Sequence, residues 1–126
     1  MTDNEISRHI VDCAIEVHRT LGGPGLLESV YEEALAWELR QRGFIAQRQI
    51  QVPISYKGNK LAAPLRLDLL VNDRVVVEVK STIDYNPVFE AQALTYLRLL
   101  DLNLALVVNF GEQYVRNGIH RVVHGL

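Results

Sequence analysis

The sequence predicts an α/β (α+β) fold: a mixed central β-sheet flanked by helices, in the order ααβββαβ, closed by a C-terminal hairpin. Three observations predict it. Two helical periodicities flank the break Gly22-Gly23-Pro24-Gly25. Residues 65–80, LRLDLLVNDRVVVEVK, hold two β-branched and aliphatic runs around the polar cluster Asn72-Asp73-Arg74. A third helical pattern then leads into an unbroken aliphatic run at residues 104–108. Helices and strands in that order bury their apolar faces by stacking in layers.

Thr2 and Glu5 stand three apart, as in a capping box. Ile6, Ile10, Ala14, Val17 and Leu21 then recur at intervals of four, four, three and four, the single buried stripe of a helix. The glycine-rich break ends it. A second helix is predicted over 26–42, with Gly43 as its stop and Leu27, Val30, Tyr31, Ala34, Leu35 and Trp37 as its apolar stripe. Over 44–56 the period changes to two. Phe44, Ala46, Ile50, Val52 and Ile54 fall on one face and Gln47, Gln49 and Gln51 on the other, a half-exposed strand. Pro53 places its later part at an edge or bulge, and Lys57-Gly58-Asn59-Lys60 is a turn. After the hairpin at 65–80, Pro87 suits the first turn of a helix over 87–100 that carries Val88, Ala91, Leu94, Leu97 and Leu100. Residues 104–108 read as a strand buried on both sides, and Asn117-Gly118 as the turn of the terminal hairpin.

With 126 residues, 48% of them hydrophobic and 22% charged, the chain has the size and composition of one soluble domain, 1–126. No apolar run nears the roughly 20 residues of a membrane span. The start MTDNEISRH lacks the basic end and apolar core of a signal peptide, so no membrane is expected as partner and the expected location is the cytoplasm. A single cysteine, Cys13, rules out an internal disulfide and reads as small core filler. The net charge of −2 speaks against a strong nucleic-acid footprint on the molecule as a whole. Its distribution is uneven: residues 1–39 hold eight acidic and two basic side chains, whereas residues 40–80 hold three acidic and eight basic. Such a middle segment attracts phosphates locally, or simply reflects Glu-bearing helices beside Arg- and Lys-bearing edge strands.

The chemistry-bearing stretch is the hairpin. With Asn72, Asp73 and Arg74 as a three-residue loop, Val71 pairs with Val75, and Asp68 then lies opposite Glu78. Facing Cβ atoms on one side of an antiparallel pair are roughly 4.5–5.5 Å apart, so two carboxylates there repel unless something cationic joins them. Glu78 and Lys80 share a face because side chains alternate along a strand. A divalent metal with Lys80 beside it answers the repulsion; an ordinary surface ladder neutralised by Lys80 is the alternative. Hard cations such as Mg²⁺ or Mn²⁺ choose oxygen ligands, commonly one or two carboxylates with waters and substrate phosphate. Asp68 and Glu78 would supply the carboxylates, the carbonyl of Val79 is a further donor, and Lys80 could orient the attacking water and offset developing charge.

Asp68 followed after nine residues by Glu78-Val79-Lys80 resembles the D…(D/E)xK signature of the PD-(D/E)XK nuclease superfamily. Gly25-Leu26-Leu27-Glu28-Ser29-Val30-Tyr31 matches the GxxExxY motif that names a small bacterial family within it, and EVHRTLGGPGLLESVYEEAL, LDLLVNDRVVVEVKS, EAQALTYL and VVNFG look like the same family. The resemblance covers nearly the whole chain. It implies a restriction-endonuclease-like core and a Mg²⁺- or Mn²⁺-dependent phosphodiesterase acting on nucleic acid, DNA first and RNA second. In the superfamily an acidic residue on a preceding helix often completes the site, and Glu28 occupies that place; a helix N-terminal charge is its other role. Gln92 and Tyr96 resemble the QxxxY helix motif of exonuclease-like members, which helps to position the site and substrate; an exposed helix flank is the alternative for Gln92. His18 matches a His of the family's pattern and so a metal ligand, with a satisfied helix-end histidine as the alternative.

Two departures stand out. Leu67, not Pro, precedes Asp68, with Pro64 close by, and the glycine turn is longer by one Gly than the family's usual form. Three readings result: a metal-dependent nuclease, a catalytically silent nuclease-fold module that binds nucleic acid or protein, and a homodimer pairing through the Gln-rich strand or the terminal hairpin.

Overall fold

The structure, a computed structural model, describes residues 1–125. Helix α1 (Asp3–Thr20) starts where the Thr2 hydroxyl accepts the Glu5 amide, and Ile6, Ile10, Cys13, Ala14 and Val17 form its buried stripe. Leu21 closes the helix, and Gly22 and Gly23, at φ +92° and +95°, turn the chain through a region that a side chain would strain. Helix α2 (Glu28–Gln41) buries Tyr31, Glu32, Leu35, Ala36 and Leu39. The predicted stripe therefore shifts: Trp37 is 57% exposed and Leu27, ahead of the helix, 73%, because α2 presents to the sheet the face centred on Tyr31 and Leu35.

Strands β1 (Ala46–Val52), β4 (Leu65–Val71), β5 (Val75–Lys80), β6 (Leu104–Asn109) and β7 (Ile119–Val123) form one sheet in the order β1-β4-β5-β6-β7, and the two-residue strands β2 (Ser55–Tyr56) and β3 (Asn59–Lys60) form a separate small ribbon. The β4–β5 hairpin has Val71 against Val75, with Asn72 and Asp73 at φ +52° and +54° in the loop. Strand β5 runs parallel to β6, and helix α3 (Val88–Leu100), with Pro87 at its N-cap, makes the crossover between them. All six residues of β6 are buried, as a central strand covered on both faces requires. The sheet is thus mixed, with α1 and α2 over one face and α3 over the other, each side closing its own apolar cluster.

Two sequence expectations move. Asn117-Gly118 does not turn a small hairpin of its own: it lies in a 3₁₀ turn (Val115–Gly118), and the strand that follows, β7, pairs antiparallel with the distant β6. The single apolar face expected over 44–56 is also split. Phe44 and Ala46 pack on the α1–α2 side, whereas Ile50 and Val52 pack on the α3 side. The change of side coincides with Gln49, at φ +55°. The partner strand makes the same exchange: Leu69 and Val71 face α1 and α2, Leu67 and Leu65 face α3, and Asp68 stands at the crossing.

Candidate functional site

Asp68 and Glu78 lie where the β4–β5 ladder stops. The backbone pairs Leu69 with Val77, and beyond that step side chains take over. The Asp68 amide donates to Glu78 Oε2 at 2.7 Å, and the Val79 amide donates to Asp68 Oδ2 at 2.7 Å. Each carboxylate therefore caps a backbone amide on or beside the other's strand. Among the described residues, no hydrogen bond reaches the remaining oxygens, Asp68 Oδ1 and Glu78 Oε1.

Electrostatics follow from this placement. Burial above all, then the Asp68 charge, pushes the Glu78 carboxyl up to about 8, although the Asp68 amide and Lys80 pull the other way. Burial likewise pushes Asp68 up to about 6 against the Val79 hydrogen bond, with Glu32, Lys80 and Glu28 as weaker neighbours. Two like charges so close titrate as one system. Lys80 is half-buried, its Nζ stands 4.6 Å over the Phe89 ring, and among the described residues it forms no ion pair.

The other predicted residues are distributed as follows. Glu28 is exposed at the start of α2, and its Oε2 accepts the Ser81 amide at 3.3 Å, while the Ser81 hydroxyl donates to the Leu26 carbonyl at 2.8 Å. These contacts dock the glycine loop beside the end of β5. The Tyr31 hydroxyl holds the same loop, donating to the Gly23 carbonyl at 2.7 Å and accepting the Leu26 amide, with its ring stacked on Phe110 at 4.5 Å. Tyr96 is buried, its hydroxyl donates to the Arg66 carbonyl at 2.9 Å, and burial followed by the charges of Glu78 and Asp68 pushes it up to about 12. Gln92, one turn earlier, is exposed. His18 is held apart from the pair: it is buried, its Nε2 faces the Phe110 carbonyl at 3.1 Å, and its ring packs against Tyr31 and Phe110. A shallow cleft of about 440 Å³ opens between the glycine loop, at Pro24, Gly25 and Leu26, and the segment that follows β5, at Ser81, Thr82 and Ile83.

Supporting residues outside the predicted set complete the surroundings. Glu32 is 4% exposed and accepts Arg48 Nε at 3.0 Å and Gln49 Nε2 at 2.7 Å. Asn109, fully buried, accepts the Thr82 and Gly111 amides on Oδ1 and donates to the Thr82 carbonyl, fixing the chain just after Lys80. A methyl group on Gly111 would lie 2.2 Å from the Thr82 carbonyl oxygen, so only glycine fits there. The signal for Glu32 is its position one turn after Glu28 on the same side of α2; Asn109 gives none for its hold on Thr82, which lies 27 residues away.

The donor set suits a hard cation of the Mg²⁺ type in one respect: two carboxylates each keep a free oxygen, and such ions complete their shells with water and phosphate. Among the described residues, no group of three or more His, Cys, Asp or Glu side chains is arranged to hold a metal ion, so a third protein carboxylate is not part of the arrangement. Nor is any helix among them long and apolar enough to cross a membrane. The chain matches the family model of the PD-(D/E)XK nuclease superfamily over residues 4–122, and no curated protein and no solved structure matches it. A mixed sheet between two helical layers, carrying that match over most of its length, establishes that the chain belongs to the PD-(D/E)XK nuclease superfamily.

Proposed function

We propose that this chain, as a GxxExxY-type member of the superfamily, engages nucleic acid, DNA first, as a binding module whose contact point is the end of β5. The observation that carries this reading is the Lys80 ammonium, free of any carboxylate partner among the described residues, half-buried at the end of β5 and lying over the Phe89 ring. Exposed Arg66 stands two residues from Asp68 on the neighbouring strand. Cations without a carboxylate partner meet phosphates and fix the register of a nucleic-acid strand. The carboxylates, closed on backbone amides, form the floor of that contact.

Phosphodiester hydrolysis is the second reading, and one observation favours it. Two buried carboxylates of like charge, each with one oxygen free, make a costly arrangement that a divalent cation relieves. Asp68, Glu78 and the Val79 carbonyl would hold Mg²⁺ or Mn²⁺, with Glu28 nearby. When bound, such an ion polarises the phosphoryl group and acidifies its water. Lys80 offsets charge on the phosphate, Tyr96 keeps β4 in place through the Arg66 carbonyl, and Ser81 holds Glu28 at the rim. A homodimer pairing through β1 or β7, the two sheet edges, belongs to the same proposal.

Fluorescence anisotropy with labelled single- and double-stranded DNA and RNA tests both readings, first in Ca²⁺ and then in Mg²⁺ or Mn²⁺ with products resolved on a gel. Binding that weakens in Lys80→Ala and Arg66→Ala, without cleavage, supports the module. Cleavage that disappears in Asp68→Asn and Lys80→Ala establishes the hydrolase. No binding of any nucleic acid form overturns both. Light scattering reads the oligomeric state.

A further inference from the structure

We infer that Glu32 is a positioning residue that holds β1 in the kink which sets Asp68 across from Glu78. The inference deepens the proposed site and rests on that reading only for the site's purpose, not for the geometry.

The β1–β4 ladder pairs Arg48 with Leu69 and Ile50 with Leu67, and the step between them, Gln49 with Asp68, is missing. Gln49 is the residue of β1 in the left-handed region, at φ +55°. A side chain there is strained, and a strand interior gives no local reason to accept that strain. Both strands exchange their apolar faces at this step, so Asp68 belongs regularly to neither core. Its carboxylate is then free to turn along the hairpin and take the Val79 amide at 2.7 Å.

Glu32 supplies what the backbone lacks. It comes from α2, on the helical layer, and its side chain is 6% exposed. One oxygen takes Arg48 Nε at 3.0 Å and the other takes Gln49 Nε2 at 2.7 Å, so it grips the kinked residue and the one before it. Arg48 is also within 3.6 Å of Glu33, which keeps the guanidinium over the same turn of the helix. A buried carboxylate is a poor stabiliser compared with an apolar side chain of similar size, and its use is to fix one geometry. The geometry fixed here is the irregular step opposite Asp68.

Amide hydrogen exchange and Mn²⁺ binding by calorimetry, on the whole chain, test this. In Glu32→Gln the amide introduced sets a donor against the Gln49 and Arg48 donors. Protection of the Val79 amide is expected to fall about ten-fold or more relative to the amides of β6, with Mn²⁺ affinity falling in parallel. Gln49→Ala, a substitution at an exposed residue, is expected to produce the same selective loss without unfolding the protein. Gln49→Gly placed in the Glu32→Gln background is expected to restore Val79 protection, because glycine accepts the left-handed backbone without a grip. Equal loss of protection at Val79 and throughout β6, or no loss at Val79 in either single variant, overturns the inference. Wild-type protein that takes up no Mn²⁺ overturns the cation reading of the site, while the exchange comparison still decides the role of Glu32.

Discussion

Glu78→Gln replaces a buried carboxyl by an amide of the same shape whose oxygen can still accept the Asp68 amide. It removes the ionisation and leaves the packing. In the folded protein the Glu78 carboxyl is pushed from 4.5 up to about 8, and Asp68 from 3.8 up to about 6, first by burial. A carboxyl whose folded value lies above its unfolded value holds its proton more tightly when folded, so ionisation favours unfolding. The associated stability is fully present below about pH 4 and declines as pH rises to about 8, by about 1.4 kcal/mol per pH unit for each proton held in excess. Because the two groups share one titration, the wild type is expected to lose of the order of 2–5 kcal/mol between pH 5 and pH 8. Urea unfolding at pH 5, 6, 7 and 8 in the presence of chelator reads it directly. Glu78→Gln should flatten that decline and exceed the wild type in stability at pH 8. Saturating Mg²⁺ or Mn²⁺ should then stabilise the wild type at pH 8 by roughly 2–3 kcal/mol at a hundred-fold excess over Kd, and the variant far less. Wild-type stability that stays level or rises from pH 5 to 8, with no difference from Glu78→Gln, refutes the reasoning.

Further expectations concern the supports of the site. Tyr31→Phe removes the hydroxyl that joins the Gly23 carbonyl to the Leu26 amide, and should cost about 1–2 kcal/mol in urea unfolding while speeding proteolysis at the glycine loop. Gly111→Ala drives a methyl group into the Thr82 backbone, and should lower stability by about 2 kcal/mol or more in the same assay. Tyr96→Phe frees the Arg66 carbonyl and should cost about 1 kcal/mol, with a change in hydrogen exchange confined to the start of β4. An unchanged unfolding midpoint in any of these variants contradicts the corresponding contact.

The sequence was most legible where the determinant is local. Thr2 and Glu5 cap α1 through two local hydrogen bonds, and the polar triplet Asn72-Asp73-Arg74 fixes a loop length from which the Val71–Val75 pairing follows by counting. The aliphatic run of β6 marks a central strand because only a strand covered on both faces spares its residues any polar partner. Trp37 keeps helical spacing with the apolar stripe yet is exposed, because which face of α2 meets the sheet is decided by α1 and β5 as much as by α2. Asn117-Gly118 likewise makes its turn without making a hairpin, because a strong turn dipeptide specifies a turn, not the two strands that the turn joins.

The sequence by itself determined the elements, their order and the opposition of two acidic positions on one hairpin, because strand alternation and loop length are properties of consecutive residues. Tertiary structure alone decided what surrounds those positions. Glu32 reaches Arg48 across 16 residues, Asn109 reaches Thr82 across 27, and His18 meets Phe110 across 92. Burial, which sets the proton affinity of Asp68 and Glu78, and the kink at Gln49, which turns Asp68 out of both cores, exist only once helix and sheet have met. No neighbour along the chain specifies either.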